Sequence, residues 1–122
     1  MRHQSIIKRN YVYIFLDPTR PTKLECNNIG FLFEPFYVGK GSRDRDKSHF
    51  WPSRRKIDKS NPIKYLRLDE IKNAGEEPII IRLKEHMTAK SALSLERKLI
   101  RIIGKVEDGS GPLLNKKTGS NK

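Results

Sequence analysis

Cysteine is almost absent. The chain has one, Cys26, which cannot close an intramolecular disulfide, so a reducing cytoplasm is the expected compartment. Long apolar runs are missing too, and the opening MRHQSIIKRN has no apolar stretch of the kind an export leader needs. That argues against a membrane span and leaves an intracellular, soluble protein as the expectation. No repeat of solenoid length recurs, and no low-complexity tract interrupts the chain. Acidic residues are scarce: fourteen Asp and Glu face twenty-six Lys and Arg, a net charge of +12. Such an excess favours a polyanionic partner, because each cation that neutralises a phosphate releases condensed counterions. The plainer alternative is a basic soluble protein with no such partner. At 122 residues the chain has room for a single domain, 1–122, and one modest core.

What is there divides into few elements. Tyr11 to Leu16, YVYIFL, is β-branched and aromatic and stops at the turn dipeptide Asp17-Pro18, which predicts a strand. Thr19 to Gly30, with Pro21, Asn27 and Asn28, reads as a long loop. Phe31 to Val38 is a second strand in which Pro35 demands an edge or a bulge, so 10–41 forms a β-hairpin. A short helix is expected over Asp44 to Phe50, ended by Pro52. Asn61-Pro62 opens another helix, with Ile63, Leu66 and Ile71 on it and a stop at Gly75. Glu77 to Leu83, EPIIIRL, reads as a strand buried on both faces. The last helix, 88–103, runs from the N-cap Thr88 to Gly104, and 105–122 is a loop segment anchored by Pro112 to Asn115. The fold class is α+β, a central antiparallel sheet of about three strands flanked by helices.

One residue of the last helix is out of place. Ala89, Ala92, Leu93, Leu99, Ile100 and Ile103 form its apolar face, and Glu96 lies within that stripe. A buried carboxylate without a partner costs several kcal/mol. Either an arginine of the sheet pairs with Glu96, or the helix edges a cleft where the carboxylate serves a metal or a reaction.

A second cluster is FYVGKGSRDR, Phe36 to Arg45, where a strand ends on a phenol, two glycines and three basic side chains. Arg45 and His49 are four apart and would share one face of a helix. Tyrosine, lysine, arginine, histidine and a distant carboxylate together suit phosphodiester hydrolysis. The arginine and a carboxylate-held cation can stabilise phosphoryl charge, while a phenol or imidazole orients water and accepts its proton. Taken singly, each has a duller reading: Tyr13 and Tyr37 as half-buried sheet residues, His49 as a surface histidine, Lys40 and Arg43 as solvated charges.

The order of these residues resembles the GIY-YIG nuclease superfamily. YVY at Tyr11 to Tyr13, YVG at Tyr37 to Gly39, the Lys40-Gly41 pair, Arg45, His49, LERKLI at Leu95 to Ile100 and LLN at Leu113 to Asn115 follow the family's sequence of motifs. The longer blocks are most similar to the phage and bacterial intron-type, homing-endonuclease-like subgroup. The resemblance implies a DNA endonuclease using one Mg²⁺ or Mn²⁺ per site. Tyr13 and Tyr37 would line the site, one of them, Tyr37 for preference, positioning or deprotonating the attacking water. Arg45 would contact the scissile phosphate, with Arg43 as a competitor for that role, and His49 would assist as proton acceptor or hydrogen-bond partner. Glu96 would ligate the metal, Lys40 would support the phenol or a phosphate, and Asn115 would tie the C-terminal segment to the site. Tyr11 stands where the name motif has glycine, and the Tyr13–Tyr37 gap carries an insertion of unassigned role. Arg43, Lys47, Arg54, Arg55 and Lys56 would hold DNA, Trp51 being expected in the core rather than stacked on a base. Specificity would come from DNA structure, dimerisation or a partner protein. The contrasting function is a non-catalytic nucleic-acid-binding module on the same fold.

Overall fold

A computed structural model describes residues 8–116, so residues 1–7 and the 117–122 part of the expected terminal loop lie outside the described residues. Three strands, β1 (Asn10–Cys26), β2 (Ile29–Ser42) and β3 (Ile79–Met87), form an antiparallel sheet in the order β2-β1-β3. Helices α1 (Pro52–Ile57), α2 (Pro62–Asn73) and α3 (Ala89–Ile103) complete an α+β fold.

The sheet is built on β1, the central strand, which is buried on both faces from Tyr11 to Asp17. Side chains alternate along a strand. Val12, Ile14 and Leu16 therefore join Ala92, Leu99, Ile100 and Ile103 of α3 in one core layer. Tyr11, Tyr13 and Phe15 face the other way, against Tyr65, Leu68 and Ile71 of α2. The YVYIFL alternation thus puts every aromatic on the α2 side.

The expected loop over Thr19 to Gly30 is instead an extension of the hairpin. β1 and β2 stay paired out to Cys26 and Ile29, closed by Asn27 and Asn28 at φ 48° and 70°. Those two left-handed residues suit a two-residue hairpin turn, and asparagine tolerates the conformation. The prolines are absorbed by register shifts around Pro21 rather than ending the strand. Pro35 likewise sits at a shift, where Phe15 pairs with Tyr37 and Leu16 with Pro35.

Other expectations are corrected. No helix forms over Asp44 to Phe50: turns lead into a 3₁₀ turn at Ser48–Phe50. Tertiary bonds override the helix there. Arg43 takes φ 53°, and the buried Asp46 carboxylate accepts from Tyr11 Oη (3.0 Å) and Arg82 Nε (2.9 Å). Pro52 opens α1 instead of closing a helix, since its missing N–H falls where a helix has no partner for one. Trp51 is 49% exposed, not a core residue.

α2 does not turn all of its apolar residues inward. Ile63 and Leu66 are exposed, whereas Lys64, Tyr65, Arg67, Leu68 and Ile71 are buried. Its ends follow local chemistry: the Asn61 side chain accepts from Lys64 N, and Gly75 at φ 79° allows the Glu76 N–H to reach Ile71 O. β3 is an edge strand, so the Ile79-Ile80-Ile81 run is only half covered and Ile81 is exposed.

Candidate active site

Two glycines of the opening cluster are there to make room. A β-carbon on Gly39 would lie 2.4 Å from Tyr13 Oη, and one on Gly41 would lie 2.4 Å from Arg45 Cβ. Both distances are far below contact, so the strand can pass beneath the phenol and the arginine only without side chains at these positions. Any residue larger than glycine at Gly39 is expected to displace Tyr13; Gly39→Ala should lower the thermal midpoint by several degrees, checked by calorimetry.

The phenols and the histidine form a packed group on the α2 side. Tyr13 Oη is 2.6 Å from His49 Nε2, and the Tyr37 ring centroid is 5.1 Å from that of His49. His49 is 1% exposed, a buried residue and not a surface histidine. Burial, then the cations Lys64 and Arg54, push its imidazole down to about 2, so the ring is neutral at ordinary pH. Burial, then the neighbouring Tyr37 phenol, raises Tyr13 above the usual phenol range. Tyr37, half-buried, is pushed up to about 12 by burial and next by the charge of Glu96. Both phenols are therefore protonated in the free protein.

Glu96 sits half-buried on α3, and among the described residues no hydrogen bond or ion pair within 4 Å engages its carboxylate. The arginine of the sheet that could have paired with it does not. Burial raises its carboxyl above the usual range, with Lys40 and Arg97 pulling the other way. A carboxylate held out of water with cations only at a distance fits a hard divalent ion. No group of three or more His, Cys, Asp or Glu is available to cage a metal among the described residues. An ion like Mg²⁺, which keeps several waters and takes phosphate oxygens, needs only one such ligand from the chain.

Arg45 and His49 do not share a face: Arg45 is exposed and His49 buried, because the segment is not helical. Arg45 instead lines an open cavity of about 670 Å³ with Arg43, Ser48, Trp51, Ser53, Arg54 and Ile57. Arg54 also bonds Ser48 Oγ and approaches Asp58. Arg55 points elsewhere, bidentate on Asp69 at 2.7 and 2.6 Å, and Lys47 and Lys56 are exposed. Asn115, buried, spans Val38: its Oδ1 accepts from Val38 N (3.0 Å) and its Nδ2 donates to Val38 O (2.8 Å). The side chain thus mimics a paired strand and fixes the terminal segment beside Tyr37.

Two further groups belong to the site. Lys64 is buried with its Nζ 3.0 Å from His49 Nδ1. Its signal was available, since Lys64, Leu68 and Ile71 fall at i, i+4 and i+7, placing a cation in an apolar stripe as Glu96 places an anion. Asp46 and Arg82, which hold the Arg43–Lys47 turn, are joined across a long sequence gap and left no local pattern.

A family model for the LEM-3-like GIY-YIG domain matches residues 10–122. That model names a branch other than the phage and intron-type one. No curated protein and no solved structure matches the chain.

Proposed function

The chain belongs to the LEM-3-like GIY-YIG domain family, and on that premise we propose that it is a metal-dependent DNA endonuclease. The observation that carries the reading is Glu96, a half-buried carboxylate with no protein partner within bonding reach among the described residues, beside protonated phenols. A fold that only gripped nucleic acid would have no use for the energetic cost of that group.

The cation expected at Glu96, Mg²⁺ or Mn²⁺, would polarise the phosphoryl oxygens and offset the negative charge that raises Tyr37. Arg45 and Arg54, in the open cavity, supply positive charge to the phosphate flanking the scissile bond. Tyr37, less buried than Tyr13, is the phenol that orients the attacking water. Lys40 is the cation closest in effect to Glu96 and balances its charge while the phosphate is absent. The test is a plasmid-nicking assay: cleavage with Mg²⁺ and none with EDTA is expected, whereas tight binding without cutting under any divalent metal would leave only a binding module.

The same cavity supports a way of holding DNA. Arg43 lines it in the left-handed conformation, so Arg43→Asn removes the charge while keeping the backbone. This variant should weaken binding to all sequences alike and reduce the slope of log affinity against log salt by about 1. Trp51 presents an exposed indole among these arginines, a platform for an unpaired base. Trp51→Ala is expected to cost about 1–3 kcal/mol on single-stranded DNA and little on duplex, measured by fluorescence anisotropy.

A further inference from the structure

Lys64 is 1% exposed, and a buried ammonium survives only if its donors are used. Its Nζ lies 3.0 Å from His49 Nδ1 and 3.5 Å from Asp58 Oδ2, and it rides over the rings of Tyr65 and Tyr37 at 4.5 and 4.9 Å from their centroids. Asp58 is itself fixed, accepting from Tyr65 Oη (2.8 Å) and from Ser60. The ammonium cannot turn away from the imidazole without abandoning this cage.

The consequence is a direction. An ammonium has donors and no acceptor, so the nitrogen facing it must carry a lone pair. His49 Nδ1 is then the acceptor, and the neutral ring keeps its proton on Nε2. Nε2–H donates to Tyr13 Oη across 2.6 Å, and the phenol accepts. The phenol's own proton is thereby turned away from His49. With the other tautomer, Tyr13 would instead spend its proton on Nε2.

We infer that Lys64 is a positioning residue that locks His49 as the Nε2–H tautomer and so fixes the buried Tyr13 hydroxyl as the acceptor of that bond, its own proton directed away from His49. The inference deepens the nuclease reading and rests on it for the part this buried chain plays in cleavage. The lock itself rests on geometry alone. Burial lowers the Lys64 ammonium to about 8, Asp58 opposing, so it remains charged at neutral pH. The pattern also limits His49, which has a cation on one nitrogen and a proton on the other, to holding Tyr13 rather than accepting a proton from water.

The test begins on the unmodified chain. Long-range ¹H–¹⁵N correlation of the histidine side chains separates protonated from lone-pair ring nitrogens; Nε2–H with a bare Nδ1 is expected for His49, and Nδ1–H would overturn the lock. In Lys64→Met the tautomer is expected to mix or invert, with kcat down at least about 10-fold and DNA affinity unchanged. Lys64→Arg, donor-only like lysine, should restore the Nε2–H tautomer. An unchanged tautomer in Lys64→Met overturns the lock, and an altered tautomer with unchanged kcat overturns its role in cleavage. Were the unmodified chain itself inactive, the nuclease reading would fall while the spectra still decided the lock.

Discussion

Replacing Glu96 with glutamine is expected to slow cleavage by about 10²–10³-fold and, in the same protein, to raise rather than lower the melting temperature. The rate effect would follow from removing the carboxylate proposed to hold a charge-stabilising cation at the phosphate. The stability effect follows from burial. Glu96 titrates above its ordinary 4.5 in the folded chain because desolvation disfavours its charge. The native state therefore binds that proton more tightly than the unfolded state, and stability falls as pH rises through the window between the two values. Above that window the whole cost is present, and a neutral amide of the same shape removes it. If Glu96 holds the proposed cation, Mg²⁺ should stabilise the wild type and leave Glu96→Gln unmoved. Calorimetry at neutral pH, with and without Mg²⁺, reads both effects beside a nicking assay. A lower melting temperature would mean Glu96 has a structural duty. Unchanged cleavage would remove it from the reaction.

Legibility in the sequence followed the range of the interactions involved. Both ends of α3 could be read because their causes are local: Thr88 accepts from Ser91 N, and Gly104 takes φ 92°. The core strand was equally plain in YVYIFL. The hairpin arm is less legible because prolines usually end a strand, whereas here bulges in a two-stranded arm absorb them with no third strand to satisfy. The 44–50 segment was misjudged for the opposite reason: its helical spacing is real, but Asp46 is drawn into Tyr11 and Arg82, contacts 35 and 36 residues away along the chain. In α2 the apolar residues Ile63 and Leu66 are exposed, and the spacing of Lys64, Leu68 and Ile71 marks the face that is buried.

The site divides along the same line. Glu96 stood out as a carboxylate in an apolar stripe, and the glycines on either side of Lys40 stood out by composition. That Gly39 lies under Tyr13 is a fact of the β1–β2 register, whereas Gly41 meets Arg45 through the local turn that follows Ser42. His49 was read through a supposed helix with Arg45, yet its buried position comes from the 3₁₀ turn that tucks it among Phe15, Tyr13 and Tyr37. A cation on its far side was not suspected, and that cation decides which way its hydrogen bond runs.

Mild acid is expected to destabilise this domain well before its carboxylates titrate, and His49 is the cause. Its imidazole is held down to about 2 in the folded chain, against 6.5 unfolded, chiefly by burial and then by Lys64 and Arg54. A folded-state value below the unfolded one means the unfolded chain binds the extra proton. Stability is therefore full above about pH 6.5 and is lost as pH falls below it, by about 1.4 kcal/mol per unit from this one group. Two units of acidification would remove about 3 kcal/mol, a large share of the roughly 5–15 kcal/mol a domain of this size possesses. Asp58 and Asp46, both held below their ordinary values by hydrogen bonds and cations despite burial, add their losses only lower, below about pH 4. Glu96 contributes with the opposite sign, but equally in any variant that keeps it. Urea unfolding from about pH 7 to about pH 5 on wild type and His49→Gln isolates the term. The variant is expected to start less stable, having lost the imidazole between Tyr13 and Lys64, and to show a slope shallower by close to one proton. Parallel slopes would mean that His49 is solvated and titrates normally, and the buried Tyr13–His49–Lys64 chain would have to be abandoned with it.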